Sequence, residues 1–366
     1  MTSSKKTAFT KYFLIFAAVL AAVAVTCSAG CILSPEDPEK WTPAITQLTD
    51  YPEYNLYLAE YTHDDKLDDL LAEQITDAGM LSARIAELCA PGENVRIKRP
   101  VPGCTVFLSY ENPASAGQFL VGRNFDFSDT SCILVHTVPD NGYESIAFAD
   151  INMYASDPAG DPANAGEALV SPYLCMDGLN EAGVFIAVLA ADGPAVHQNT
   201  GKPTATAPFF IRLVLDKAAD ADEAVALMSQ YDANFTSGFQ YYIADKSGKT
   251  AVVNYIHDEM TVTYDEKILT NFYLCPVPED YPAGHGQDRY ETVETMLDAV
   301  LYETDTAKAF DILEASAQIP EMETLGTTQW SVVYHLGTGT ADAVFQRHWN
   351  DIIDTSLSKT PSAVFA

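Results

Sequence analysis

Positive charge is scarce in this chain. Of 366 residues only 20 are Lys or Arg, against 51 Asp or Glu, giving a formal net charge of −31 with neutral histidines. A nucleic-acid reader needs a basic surface to neutralise phosphates, so no nucleic-acid partner is expected. The same balance favours solubility and opposes docking of the folded part on anionic lipid. Metal-ligand spacings are missing too. No CxxC or HExxH occurs, and His63, His136, His197, His257, His285, His335 and His348 are scattered, so neither a metal nor a cofactor is expected. Internal repeats and low-complexity tracts are also lacking. Apolar side chains are not: 48% of residues are hydrophobic and 11% aromatic, enough for a sizeable core in one large or two ordinary globular domains.

The longest apolar run, fourteen residues from Tyr12 to Val25, follows Lys5, Lys6 and Lys11 and precedes the small residues Ser28, Ala29 and Gly30. That is the layout of a secretory signal over residues 1–30, and the run is short for a membrane span unless Ile32 and Leu33 extend it into an anchor. Ser28-Ala29-Gly30-Cys31 resembles the lipobox of exported lipoproteins, with Ser where Leu is usual. The chain is therefore expected to be exported, either attached to the membrane of the cell envelope by lipid on Cys31 or secreted. Seven cysteines are present. Setting aside Cys27, Cys31 and one candidate nucleophile leaves Cys89, Cys132, Cys175 and Cys275, which could pair in three ways.

Residues 32–45 read as a Pro-rich, charged linker. Leu67, Leu70, Leu71, Ile75, Ala78, Leu81, Ile85 and Leu88 recur at three- and four-residue steps, predicting a helix over 64–90 that Pro91 and Gly92 stop. From Cys104 the period changes. Short β-rich runs follow at 104–110, 119–127, 133–138, 145–151, 184–190, 241–244, 250–256 and 260–264, separated by turn residues such as Asn141-Gly142 and Lys246-Ser247-Gly248. Helical patterns fall at 209–230, 288–301 and 306–318, and a β-run at 329–334 is expected to pair with 343–346. Hairpin-sized connections predict largely antiparallel sheets in an α+β layering.

A cysteine at the head of a β-run, as Cys104 is, is by itself most often a small buried hydrophobe. Its surroundings change that reading. Nineteen residues on, Gly122-Arg123-Asn124-Phe125-Asp126 places an Arg and an Asp where a hairpin partner would lie. Arg123 and Asp126 cannot share a face by simple alternation, so the strand is expected to end or bulge there and aim both at a neighbour.

Gly103-Cys104-Thr105 followed by Gly122-Arg123-Asn124-Phe125-Asp126 resembles the start of the mature chain in the choloylglycine hydrolase family. That family includes bile salt hydrolases, penicillin V acylases, acid ceramidase and N-acylethanolamine-hydrolysing acid amidase. Further matches follow in the family's order: Asp177-Gly178-Leu179-Asn180-Glu181-Ala182-Gly183, Leu269-Thr270-Asn271, Asp288-Arg289-Tyr290 and Thr327-Thr328-Gln329-Trp330-Ser331-Val332-Val333-Tyr334. The resemblance implies an N-terminal nucleophile hydrolase with a four-layer αββα sandwich over residues 104–366. It also implies that Cys104 is the nucleophile, that Arg123 and Asp126 hold and polarise it, that Asn271 donates to the oxyanion and that Arg289 completes the site. One departure stands out: where bile salt hydrolases carry a second Asn, this chain has Ala190 and Ala191.

A thiol with an ordinary pKa of about 8.5 needs a base at neutral pH, and an α-amine with a pKa of about 8 can be that base if the cysteine begins its chain. Cys104 has no free amine as translated, so Gly103-Cys104 must be cut; an N-to-S acyl shift followed by hydrolysis would free it. Residues 31–103 would then form a linker and a helical small chain, retained by packing of the 64–90 helix or by a disulfide from Cys89. The expected activity is autoprocessing followed by hydrolysis of a linear C–N amide bond of a small N-acyl amine through a thioester. The segment ahead of Cys104 resembles the acid ceramidase and acid amidase branch. An acyltransferase with the same nucleophile and a non-catalytic exported binding lipoprotein are the alternatives.

Overall fold

The computed structural model describes residues 43–51, 55–62, 66–90, 103–111, 118–127, 130, 132–151, 168–320, 326–357 and 359–362. The expected signal, Cys31 and most of the linker lie outside the described residues. Among those described, no helix is long and apolar enough to cross a membrane.

In chain order the elements begin with β1 (Ala44–Gln47), β2 (Tyr57–Tyr61), α1 (Leu67–Leu71), α2 (Ala78–Cys89), β3 (Gly103–Glu111), β4 (Phe119–Phe127), β5 (Cys132–Thr137) and β6 (Ser145–Asp150). β7 (Cys175–Asn180), β8 (Val184–Ala190), β9 (Val196–His197), β10 (Thr204–Ala205), α3 (Ala207–Lys217) and α4 (Ala221–Met228) follow. Next come β11 (Asp232–Phe235), β12 (Phe239–Asp245), β13 (Thr250–Ile256), β14 (Glu259–Tyr264), β15 (Ile268–Leu269) and α5 (Gln287–Asp298). The last are β16 (Glu303–Thr304), α6 (Thr306–Ala315), β17 (Thr327–His335), β18 (Thr340–Phe345), β19 (Ile352–Ser356) and β20 (Lys359–Ser362).

Two large sheets carry the fold. One has nine strands in the order β1-β2-β5-β6-β7-β8-β12-β13-β14; the other runs β15-β3-β4-β17-β18-β19-β20, with β16 beside β3. The pairing is antiparallel as expected, except that β2 lies parallel to β5, β16 to β3 and β10 to β11. α3 packs on β7 and β8, and α4 on β12 and β13; on the other sheet α5 packs on β3 and α6 on β4 and β17. The layers are therefore helix, sheet, sheet, helix. Strand alternation sorts the apolar side chains between them. Cys104, Val106 and Leu108 join the large core, whereas Phe107 joins Val293, Leu297 and Phe310 under α5 and α6.

Two long predicted helices are each broken in two. Asp77 is extended (φ −153°) and its carboxylate accepts from Met80 N at 2.8 Å, which starts α2 afresh; Asp220 does the same for α4 through Glu223 N. An Asp that caps one helix competes with continuing the previous one, so apolar periodicity alone overran both breaks. β1 begins at the end of the 32–45 linker and β2 lies between that linker and the predicted 64–90 helix; both extend the edge of the nine-stranded sheet. Cys132, Cys175 and Cys275 are free thiols rather than disulfide partners.

Candidate active site

Cys104 is the second residue of β3 and has no solvent-exposed surface. β3 pairs with β4 so that Gly103 faces Asp126 and Cys104 faces Phe125. β4 stays regular through Arg123 and Asp126, which corrects the expectation that both aim at one neighbour. Arg123 points between the sheets, where its Nη2 donates to Val188 O at 3.0 Å and its Nε to Asp177 Oδ2 at 3.2 Å. Asp126 looks the other way. Its Oδ1 accepts from Thr328 Oγ1 at 2.5 Å, and its Oδ2 accepts from Gln318 Nε2 at 2.7 Å and from Arg289 Nη1 at 3.3 Å. The irregularity lies in the partner strand, where the β17 register shifts between Thr328 and Trp330 opposite Asp126 and Phe125. β4 itself ends one residue after Asp126.

Asn271 follows β15, the edge strand that pairs with β3 at Val106 and Phe107. One atom of its amide receives both Cys104 N and Arg289 Nη2 at 2.7 Å. Both partners can only donate, so this atom is the carbonyl oxygen, and Nδ2 is the group that donates to Ala190 O at 2.9 Å. Arg289, in the first turn of α5, also donates through Nη1 to Cys104 O at 2.6 Å and to Thr105 Oγ1 at 2.9 Å. Gly286 makes room for it. At φ 86° this residue precedes α5, and a Cβ there would stand 2.5 Å from Arg289 Nη2.

Burial pushes the Cys104 thiol up to about 11; the charge of Arg123 pulls it down and that of Asp126 up. The thiol lies 3.9 Å from Val188 O. In the uncut chain the sulfur is thus protonated, with its backbone N and O both held by side chains. Asp177 anchors the inner side of the site. Besides Arg123 it accepts from Trp330 Nε1 at 3.0 Å and Tyr334 Oη at 2.5 Å, and Trp330 stacks on Phe125 at 3.9 Å. Burial raises the Asp177 carboxyl above its ordinary range against the pull of Arg123, Tyr334 and Trp330.

Cys104, Arg123, Asp126, Asn271 and Arg289 are thereby brought together. Sequence reasoning missed Asp177, Thr328 and Gln318 as site residues, although Asp177 and Thr328 stand inside motifs that carried the resemblance. At Ala190 it is the backbone carbonyl, not a side chain, that meets the site. Among the described residues no group of three or more His, Cys, Asp or Glu could hold a metal.

Two facing sheets between helical layers, with a cysteine at the head of an inner strand, define the N-terminal nucleophile hydrolase class. Within it, the chain belongs to the acyl-coenzyme A:6-aminopenicillanic acid acyl-transferase family, whose profile matches residues 114–348. No curated protein matches. Among solved structures, penicillin V acylase from Agrobacterium tumefaciens is 15% identical with a TM-score of 0.51, covering 70% of this chain and 87% of its own. A mutant conjugated bile acid hydrolase from Clostridium perfringens is 16% identical with a TM-score of 0.51, covering 70% of this chain and 93% of its own. Fold and family together make this an enzyme of the amidohydrolase and acyltransferase type, related to the choloylglycine hydrolases.

Proposed function

We propose that the protein is an exported cysteine hydrolase that cuts its own chain between Gly103 and Cys104 and then cleaves the linear amide of a small N-acyl amine through a thioester on Cys104. The observation that carries the reading is the handling of Cys104 N. It points at Asn271 Oδ1 beside Arg289, among buried side chains where a freed α-amine would remain held next to its own thiol. A thiol raised to about 11 has almost no thiolate at neutral pH, so a neighbouring base is required, and the α-amine is the nearest group that scission can create. Arg123 favours the thiolate once the proton has left.

Intact-mass analysis of purified protein tests this. The expected result is a large fragment beginning at Cys104, with Cys104→Ala remaining a single chain. Uncut wild type that hydrolyses N-acyl amines at full rate would overturn the reading. The family match favours a second outcome for the same thioester, transfer of the acyl group to an amine instead of water. Adding an amine acceptor to the assay and measuring how acyl product divides between acid and new amide separates the two. For location, we propose export with lipid on Cys31. Fatty-acid labelling of the small fragment that Cys31→Ser abolishes is the expected result, and an unlabelled secreted protein would refute the lipid.

A further inference from the structure

Gly103 has no side chain, and the space beside its α-carbon is bounded by the side chains of Gln318, Asp126 and His285. The position a Cβ would take is 2.7 Å from Gln318 Nε2 and 3.7 Å from His285 Nε2. Gln318 Nε2 gives one N–H to Asp126 and keeps a second. His285 lies between β15 and α5, and its backbone N donates to Asn271 O at 3.1 Å, which ties it to the site. Its Nδ1 meets Asp192 Oδ2 at 2.5 Å. A carboxylate only accepts, so Nδ1 carries the hydrogen, and in the neutral ring Nε2 is the nitrogen left with a lone pair, on the side nearest Gly103. Asp192 holds this orientation from the left-handed region, at φ 51°, between Ala191 N donating to Gly238 O at 3.0 Å and Gly238 N donating to Gly193 O at 2.8 Å. The His285 and Asp192 side chains are 34% and 28% exposed, so solvent water reaches them.

We infer that His285, oriented by Asp192, is the general base that activates water in the hydrolytic step of Gly103-Cys104 scission, an inference that rests on the autoprocessing reading above. In the first step the Cys104 sulfur bonds to the Gly103 carbonyl carbon, the C–N bond breaks and the thiol proton passes to the departing nitrogen, giving a thioester and the Cys104 α-amine. In the second, a water bonded to Gln318 Nε2 gives a proton to His285 Nε2 as its oxygen attacks the same carbon. The C–S bond breaks, and the proton returns from His285 to the sulfur. One water is consumed, leaving a Gly103 carboxyl group and Cys104 with thiol and amine. The freed amine faces Asn271 Oδ1, whereas His285 approaches Gly103 on the side of Asp126 and Gln318, so the two bases serve different steps.

The test follows scission of freshly made full-length protein by intact mass. His285→Ala is expected to slow the appearance of the cut form at least a hundredfold, the usual span of a lost general base, and Asp192→Asn to slow it by less. Neutral hydroxylamine needs no base to open a thioester, so it should restore scission of His285→Ala and leave a hydroxamate on Gly103, while Cys104→Ala stays uncut in its presence. His285→Gln, closer in size, serves if the alanine variant does not fold. His285 variants cut at the wild-type rate, or folded variants that hydroxylamine does not rescue, would overturn the role of His285 while leaving autoprocessing intact. A wild type that is never cut would instead remove the underlying reading.

Discussion

At the scale of single residues, Asn271 and Asp177 hold the two faces of Cys104. Asn271 accepts from Cys104 N and Arg289 and donates to Ala190 O, so its amide is pinned from three sides and fixed in orientation. As a tetrahedral intermediate forms, charge gathers on the carbonyl oxygen, and a fixed amide N–H stabilises that charge far more than the neutral substrate. Asn271→Ala, assayed on protein already cut, is expected to lower turnover by about 100-fold or more with substrate affinity nearly unchanged. A loss under about tenfold would reduce Asn271 to a tether between the edge strand and β8. Asp177 does different work. It is the carboxylate facing Arg123 in a region with no solvent exposure, so Asp177→Ala leaves a buried guanidinium without its counter-charge and strands Trp330 and Tyr334 as donors. The expected cost is about 3–5 kcal/mol in urea unfolding; a change below about 1 kcal/mol would mean that water replaces the carboxylate there.

At the scale of elements, the part ahead of Cys104 is built into the sheet. β2 pairs in parallel with β5 over Tyr57–Tyr61, Tyr61 Oη bonds Ser171 Oγ at 2.9 Å, and Leu58, Leu81 and Ile85 are buried in the main core. The two fragments are therefore expected to co-elute after scission and to part only in denaturant. Leu81→Ala with Ile85→Ala removes about 2–5 kcal/mol of core packing at each site, so this double variant should release its small fragment at lower urea. Fragments that separate in native buffer would show that the edge pairing is too weak to hold them. The same segment marks where the chain was hard to read. β1 is mostly exposed, so it has no apolar alternation, and it passes for linker. β7 is not among the predicted β-runs, because Asp177 breaks its apolar character, yet it is a fully buried strand in which Arg123 compensates that charge. The central hairpin of β3 and β4 was legible because its two β-rich runs are close in sequence. Asp192 and His285 were not, since 93 residues separate two side chains that meet only once the 271–285 segment folds over β8.

For the whole molecule, burial sets how stability answers to pH. Burial raises the Cys104 thiol to about 11 and the Cys175 thiol to about 12, and it lifts Cys132 and the tyrosines Tyr241, Tyr242 and Tyr334 well above their ordinary values. All of these groups are neutral when protonated, so the folded state holds their protons more tightly than the unfolded chain does. Their contribution is complete below the ordinary thiol range and is lost as pH rises through about 11 and 12. Each tenfold gain in proton affinity is worth about 1.4 kcal/mol. The urea midpoint is therefore expected to fall steadily above pH 9 under reducing conditions. The net charge of −31 pushes the same way, because like charges repel more in the compact state. Salt separates the two causes: at 0.15 M the repulsion between surface charges is screened beyond about 8 Å, while a buried thiol is not reached by counterions. If buried thiols dominate, the alkaline fall persists in high salt and becomes shallower in Cys175→Ala. A fall that salt abolishes, with Cys175→Ala tracking wild type, would assign it to surface charge alone.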